Sequence, residues 1–286
     1  RNNKPTEEYP VEQSTLTQRY ADETIRFIRE SKGRPFFIYL PFAMPHLPIS
    51  ASVNFRGKSA GGLYGDVIEE MDANIGRILA EIKVENIEEN TIVIFTSDNG
   101  PWRNMPPRMY ETDEVEQWHG GSTGSLRGAK ATSYEGGFRV PAIIRWAGRI
   151  PAGQVITDWV TTLDLHATIR EAAGATPAVR PLDGINIHDF LQGKSGFPDR
   201  YFYYFNYENL DGIRDNTWKL LVTWEASDWT SRDLRTGREP VVVQLYNLRN
   251  DPFEHFNLAE QNPEIVNQLK AEMKRFAGEV GAKLNF

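Results

Sequence analysis

The sequence predicts an α/β fold, because two segments with helical periodicity are each followed by a short run of apolar residues. Apolar side chains recur at helical spacing over residues 16–28, and the run Phe-Phe-Ile-Tyr-Leu follows at residues 36–40. The pattern returns with a long amphipathic stretch at residues 64–82 and the run Thr-Ile-Val-Ile-Phe-Thr at residues 91–96. Such continuous apolar runs are typical of strands that are buried on both faces. Together they indicate a layered domain of helices and strands.

The second half of the chain changes in texture. A third buried strand is predicted at residues 140–146 and a further helix at residues 163–173. Beyond this helix, short aromatic-rich runs with turn residues between them are typical of antiparallel strands in a small second sheet. These runs lie at residues 201–205, 217–222 and 241–246. A final helix is predicted over residues 263–280, so we expect a main domain over residues 1–194 and a smaller one over residues 195–286.

Composition excludes several classes of function. The chain has 286 residues and a formal net charge of −7, so it is a poor electrostatic partner for a nucleic acid backbone. Its longest apolar run, residues 36–45, is interrupted by prolines and is far shorter than the ~20 residues that cross a bilayer, so no membrane span is predicted. The absence of cysteine excludes disulfides, thiolate metal sites and a cysteine nucleophile from this sequence.

Asp98 and Asn99 are candidate metal ligands because they directly follow a predicted buried strand. Ligand sites of α/β folds gather at the carboxyl ends of strands, and carboxylate and amide oxygens suit a hard cation such as Ca²⁺ or Mg²⁺. The alternative is an ordinary turn, since Asp-Asn-Gly is common turn chemistry. Two side chains do not fill a shell of about six to eight oxygens, so further ligands must come from elsewhere.

His46 and Lys130 are candidates for proton transfer and anion binding. His46 follows the first predicted strand on a loop that two prolines stiffen, and histidine titrates near neutral pH. The alternative is a structural or merely exposed histidine. Lys130 taken alone is an ordinary solvated cation, and Glu135 with Arg139 is most simply a structural ion pair ahead of a strand.

The connection from residue 97 to 139 is longer than the loops of most compact domains, and such loops are usually functional. It contains four candidate substrate-binding residues, since aromatic and cationic groups suit sugar rings and sulfate. They are Trp102, Arg103, Trp118 and His119. The alternative for each is an exposed loop residue without a binding role.

Several short motifs follow one another in a specific order. They are Pro-His-Leu-Pro at residues 45–48, Ser-Asp-Asn-Gly at 97–100, Leu-Arg-Gly-Ala-Lys at 126–130, Glu-Gly-Gly-Phe-Arg-Val-Pro at 135–141, and related stretches at 145–153, 162–168 and 245–259. In this order and spacing the chain resembles the sulfatases, the arylsulfatase-type sulfuric ester hydrolases. The resemblance covers nearly the whole chain, and the combination is more specific than any single motif.

The resemblance implies an alkaline-phosphatase-like layered domain with a large mixed sheet between helices, and a small C-terminal antiparallel sheet packed with a helix. It assigns Asp98 and Asn99 to a divalent cation, usually Ca²⁺ with Mg²⁺ as the alternative, and His46 and Lys130 to the sulfate pocket as catalytic residues. The cation and Lys130 would stabilise charge on the sulfuryl oxygens, and His46 would protonate or hydrogen-bond the departing alcohol oxygen.

The resemblance also implies components that this sequence does not encode. In the family, a formylglycine nucleophile is made from the Cys or Ser of a C/S-x-P/A-x-R motif, which is absent here. An early acidic pair, a lysine and a histidine of the family are also missing. We therefore expect the C-terminal portion of a sulfatase, stable and active only with the N-terminal portion as its partner. Export to the periplasm, the lysosome or the exterior is common among similar enzymes.

Three functions remain open at this point. The first is hydrolysis of aryl or carbohydrate sulfate esters. The second is hydrolysis of phosphate or phosphonate monoesters by an enzyme of the same superfamily. The third is non-catalytic binding of sulfated glycans by a protein that kept the pocket without the nucleophile.

Overall fold

The computed structural model describes residues 11–103, 115–176, 178–224 and 241–286. The chain divides into two compact units. The first comprises Arg1–Thr91 and Pro101–Gly124, and the second comprises Ile92–Gly100 and Ser125–Phe286. The boundary between the domains expected at residues 194 and 195 stays a prediction.

Two helices form the frame of the first unit, as the periodicity predicts. Helix α1, Leu16–Glu30, buries a stripe of small and branched side chains, and helix α2, Gly62–Val84, packs beside it. The guanidinium of Arg29 on α1 donates two hydrogen bonds of 2.7 Å to the Glu81 carboxylate on α2. Gly33 adopts a φ of +79° just after α1, a left-handed conformation that glycine adopts without strain.

The predicted strand at residues 36–40 is wrong for the described structure. The backbone there belongs to no ladder, and the side chains of Phe37 and Tyr39 are 66% and 80% exposed. A strand exists through hydrogen bonds to a neighbour, and no described residue of this unit offers a paired strand. The chain then turns inward to a small core of apolar side chains. This core contains Met44, Leu47, Ile49, Ala51, Val67 and Val115.

In the second unit, strands β1 (Ile92–Thr96) and β2 (Ala142–Trp146) confirm two predicted strand positions. They pair antiparallel, with Phe95 opposite Ile143. The expected burial on both faces is wrong for β2, because Ile143 is 65% exposed. Among the described residues the expected large mixed sheet is represented by this pair, and a strand is covered on both faces only where further elements pack on it.

The predicted small sheet is a five-stranded sheet, largely antiparallel. Its strands are β3 (Phe202–Asn206), β4 (Asn209–Arg214), β5 (Trp218–Trp224), β6 (Val241–Asn247) and β7 (Lys283–Leu284). The order is β3-β4-β5-β6, and β7 pairs parallel with β4. Neither β4 nor β7 is predicted from the sequence, because β4 carries Asp211 and Gly212 in its interior and β7 has two residues.

The described part of this unit also contains three shorter helices and one long helix. They are α3 (Glu135–Phe138), α4 (Thr162–Ala172), α5 (His188–Leu191) and α6 (Pro263–Val280). Helix α6 begins with a proline and ends before Gly281 at a φ of +71°, and its apolar face packs on the five-stranded sheet. Within the described ranges, no helix is both long and apolar enough to cross a membrane.

Candidate functional site

In the first unit, His46 lies beside Trp102, with ring centroids 6.2 Å apart. His46 is exposed on the loop that precedes the small core, and its Nδ1 is 2.7 Å from the carbonyl oxygen of Leu47. Trp102 is half-buried against that core, and Arg103, the next residue, is exposed. An imidazole and an indole thus lie near each other in this unit.

Trp118 and His119 lie on a short 3₁₀ turn, Gln117–Gly120. The Trp118 side chain is 58% exposed, and its ring is 4.0 Å from that of His119. His119 is buried, and its Nδ1 accepts a hydrogen bond of 2.9 Å from the backbone N–H of Glu116. Burial lowers the pKa of His119, so the ring is neutral and carries its proton on Nε2. His119 thus caps the turn from within, and Trp118 faces solvent.

Glycine residues allow the segment of Trp102, the turn at residues 117–120 and the start of α2 to approach one another closely. A Cβ on Gly120 would lie 2.0 Å from the carbonyl oxygen of Trp102, so no larger residue fits there without a shift of the backbone. A Cβ on Gly62, at the start of α2, would lie 3.3 Å from the ring of Trp118. The structure therefore brings His46, Trp102 and the 117–120 turn into one continuous set, which we call the aromatic group.

In the second unit, Asp98 and Asn99 follow strand β1, as the sequence predicts. Asp98 is exposed, Asn99 is half-buried, and the hydroxyl of Ser97 donates to the carbonyl oxygen of Asn99 at 3.2 Å. The N–H of Gly100 donates to the carbonyl oxygen of Gly137 at 2.9 Å. This bond ties the end of the strand to helix α3.

Lys130 lies in a tight turn that the Thr132 side chain closes. The Thr132 hydroxyl donates to the carbonyl oxygen of Ala129 at 2.8 Å and accepts from the N–H of Ala129 at 3.2 Å. Ala131 has a φ of +70°, a left-handed conformation that is unusual for a residue with a Cβ. Lys130 is half-buried, so the turn presents its side chain from a fixed backbone.

Three glycines bring the strand end and the Lys130 turn together. A Cβ on Gly100 would lie 1.8 Å from the carbonyl oxygen of Gly136, and one on Gly137 would lie 2.3 Å from the carbonyl oxygen of Thr132. A Cβ on Gly136 would lie 2.5 Å from the carbonyl oxygen of Arg127. We call Gly100, Gly136 and Gly137 the glycine junction, because the segments of Asp98–Asn99 and of Lys130 both close on it.

Asp98 and Asn99 fit a hard cation in their chemistry, because a carboxylate and an amide supply oxygen ligands. Across the described ranges, no group of three or more His, Asp or Glu residues is arranged to hold a metal ion. The pair therefore fits part of a coordination shell rather than a whole one.

A buried charge cluster behind the junction was not predicted from the sequence. The Lys219 ammonium lies 2.9 Å from Oε1 of Glu135 and 2.9 Å from Oε1 of Glu254, and all three residues are at most 4% exposed. The expected partner of Glu135 was Arg139, whereas the ion pairs described for Glu135 reach Lys219 and, at 3.9 Å, Arg214. In the sequence, a single lysine inside the apolar run of β5 indicates a buried positive charge, and such a charge needs an acidic partner.

The comparison with protein families gives two matches. A family model described as sulfatase matches residues 1–175, and the model of the C-terminal part of N-sulphoglucosamine sulphohydrolase matches residues 129–279. Human steryl-sulfatase is 36% identical over 77% of this chain and 37% of its own length. Human N-acetylgalactosamine-6-sulfatase is 32% identical over 92% of this chain and 52% of its own length. The chain spans about half the length of these relatives, or less.

Solved structures also match this chain. A Bacteroides thetaiotaomicron structure, described with the metabolism of multiple glycosaminoglycans, matches with a TM-score of 0.77 and 28% identity over 93% of this chain and 55% of that one. The phosphonate monoester hydrolase of Agrobacterium radiobacter matches with a TM-score of 0.61 over 92% of this chain and 60% of that one. At 18% identity, the second match carries information on the fold alone. The predicted α/β, alkaline-phosphatase-like class is confirmed.

Proposed function

This chain belongs to the sulfatase family, and from that premise we propose that it carries part of the active site of an enzyme that hydrolyses sulfate esters to an alcohol and inorganic sulfate. The observation that carries the proposal is the glycine junction, on which the Asp98–Asn99 strand end and the Lys130 turn both close. One backbone scaffold thereby holds a lysine that suits an anionic sulfuryl centre and a pair of oxygen ligands that suits a cation. Preorganised charge of this kind is usually the largest contribution to catalysis.

Each candidate has a distinct chemical task in this proposal. Lys130 binds a sulfuryl oxygen, and Asp98 and Asn99 hold a divalent cation, Ca²⁺ by family resemblance or Mg²⁺. Such a cation supplies positive charge to the sulfuryl oxygens. His46 is exposed and delivers a proton or a hydrogen bond to the oxygen of the departing alcohol. The nucleophile, a formylglycine in the family, belongs to a segment that this sequence does not encode.

We further propose that this missing segment is a polypeptide partner of the chain. Exposed apolar residues support the idea, because Phe37, Tyr39 and Ile143 are each at least 65% exposed. Within the described part of the second unit, β1 and β2 pair only with each other, so each leaves an open edge. The mass and sequence of the native polypeptide test this proposal, and would also reveal a leader for the exported location that the resemblance implies.

The substrate proposed is an aryl or carbohydrate sulfate. The aromatic group supports a ring-shaped substrate, because Trp102 and the exposed Trp118 lie in one unit with the cationic Arg103. Aromatic faces and cations suit sugar rings and their sulfates. The match to a structure described with glycosaminoglycan metabolism agrees with this substrate class.

The test is turnover by the native polypeptide that contains this chain, expressed where formylglycine is formed. We expect hydrolysis of an aryl sulfate, and a loss of about 100-fold in kcat/KM for Lys130→Ala. Lys194→Ala, at an exposed lysine remote in sequence from the motifs, is the matched control and should retain activity. Faster hydrolysis of aryl phosphate would favour the phosphate or phosphonate hydrolase, and tight binding of a sulfated sugar without turnover would favour the binding protein.

A further inference from the structure

The buried charge cluster joins two motifs that are far apart in the sequence. Glu135 begins the Glu-Gly-Gly motif, and Glu254 lies within the stretch of residues 245–259. The backbone N–H of Glu135 donates to Oε2 of Glu254 at 2.7 Å, and Lys219 bridges the two carboxylates from strand β5. A cation and two carboxylates are thus fixed in one water-excluded position.

The cluster is continuous with the glycine junction. Glu135 is followed directly by Gly136 and Gly137, whose carbonyl oxygens face Gly100. On the other side of the junction, the Arg127 guanidinium donates to the phenol oxygen of Tyr246 at 2.7 Å and to the carbonyl oxygen of Glu254 at 3.3 Å. The loop that carries Lys130 is therefore anchored to the C-terminal sheet at both of its ends.

Stability alone is a weak explanation for such a cluster. Removing charges from water is costly, and well-packed apolar residues of similar volume often serve stability equally well or better. Glu254 also has a φ of +59°, a left-handed conformation that strains a residue with a side chain. The buried charges and the strained backbone of Glu254 occur at the point where the cluster fixes the backbone of Glu135. This coincidence argues that the cluster positions that backbone.

We infer that Lys219 and Glu254 are positioning residues: they fix Glu135 and thereby the glycine junction that aligns Asp98–Asn99 with the Lys130 turn. This inference rests on the proposed function only where it takes Asp98, Asn99 and Lys130 as the active groups that are aligned. Lys219 contacts the Glu135 carboxylate and Glu254 accepts from the Glu135 backbone N–H, so both act through residue 135 and the glycines that follow it.

The ionisation of the cluster agrees with this role. Burial by itself would raise the pKa of Glu135, but Lys219 and Arg214 outweigh it and hold that pKa below its usual value. Burial raises the pKa of Glu254. Burial opposes the charge of Lys219, yet its partners raise its pKa, so the ammonium stays charged. The Lys219–Glu135 pair is thus the ionic centre, and Glu254 holds the backbone of Glu135.

The test compares Glu254→Gln with Met273→Ala, which creates a cavity in the core between α6 and the sheet without touching the cluster. Amide hydrogen exchange is read in the native polypeptide that contains this chain and carries the substitution. For Glu254→Gln we expect about tenfold faster exchange at Gly100 and across residues 129–137, with exchange in β5 and β6 unchanged. For Met273→Ala we expect the opposite pattern, with faster exchange in the sheet and little change at Gly100.

Equal patterns in the two variants, or unchanged exchange at Gly100 in Glu254→Gln, would overturn the inference. If Glu254→Gln does not fold, Tyr246→Phe loosens the Arg127 anchor without changing a buried charge and should affect the same amides more weakly. In the active native polypeptide, Glu254→Gln should lower kcat by at least about tenfold more than Met273→Ala does. An absence of sulfate ester turnover in the unsubstituted protein would contradict the proposed function, and the exchange comparison would still decide the positioning role.

Discussion

Substitution of Gly100 by alanine tests the candidate site at its narrowest point. Gly100 has no left-handed backbone conformation, so alanine is allowed there as far as φ is concerned. The obstacle is space, because the added Cβ would lie 1.8 Å from the carbonyl oxygen of Gly136 and 2.9 Å from its carbonyl carbon. Both neighbours are backbone atoms of the glycine junction and cannot rotate away as a side chain would.

The size of the effect follows from these distances. A contact between Cβ and a heavy atom needs at least 3.0 Å, so the strand end and α3 must separate by about 1.2 Å from the present 1.8 Å. The hydrogen bond from Gly100 to Gly137, now 2.9 Å long, would lengthen beyond a normal hydrogen bond. Lost hydrogen bonding and overpacking together cost about 2–4 kcal/mol of the free energy of unfolding. A 1 Å displacement of catalytic groups costs about 100-fold in rate.

The assay has two arms. Both are carried out on the native polypeptide that contains this chain. Urea unfolding measures its free energy of unfolding, and turnover of an aryl sulfate measures its rate. Gly76→Ala is the matched control, because its added Cβ meets nothing within 4 Å and the residue lies inside helix α2. If Gly100→Ala unfolds at the same urea concentration as the unsubstituted chain and retains full activity, the close approach at the junction does not exist and our account of the site is wrong.

Four further predictions concern three separate parts of the molecule. Gly278→Ala, in helix α6 with open space around it, should raise the free energy of unfolding by about 0.5–1 kcal/mol, read from the melting temperature. Asp164→Ala leaves the Arg200 guanidinium, now 2.6 Å from that carboxylate, without its ionic partner and should cost about 3–5 kcal/mol in urea unfolding. Burial opposes ionisation of Asp164, but its bonds with Arg200 and with backbone N–H groups outweigh burial and lower its pKa. The stabilisation from the ionised Asp164 is therefore complete above the unfolded pKa of about 4 and is lost as pH falls through the lower folded pKa. Asp164→Asn should abolish this acid-dependent loss of stability, measured by unfolding across pH. Trp118→Ala should raise KM for a carbohydrate sulfate about tenfold with kcat unchanged, and equal KM values would exclude the exposed indole from substrate binding.

Local patterns predicted most of the elements correctly. A final helix is predicted from Pro263 to about residue 280, because Ile265, Leu269, Met273 and Phe276 recur on one face, and α6 has these bounds. The positions of β1, β3, β5 and β6 also follow from short apolar and aromatic runs. These signals depend on neighbouring residues in the chain, and that is why a single sequence reveals them.

Features that depend on distant partners were not predictable in the same way. The run at residues 36–40 has the composition of a strand, yet a strand needs a paired neighbour, and the described residues provide none. Strand β4 contains Asp211, which is buried and accepts a hydrogen bond of 3.0 Å from the Thr223 hydroxyl on β5. The Thr223 hydroxyl is the donor that makes the carboxylate acceptable inside a sheet, but it lies in another strand. The same reason explains why Arg139, near in sequence, was expected in place of Lys219 as the partner of Glu135.

The candidate metal residues depend physically on the C-terminal part of the chain. Asp98 and Asn99 belong to the same compact unit as the five-stranded sheet, and the Lys130 turn belongs to it as well. Glu135 has its ionic partner on β5, and without the sheet its carboxylate would be left without Lys219 beside the junction. The C-terminal sheet thus acts as the support of the candidate site, and the two motifs that meet at Glu135 and Glu254 are the means of that support.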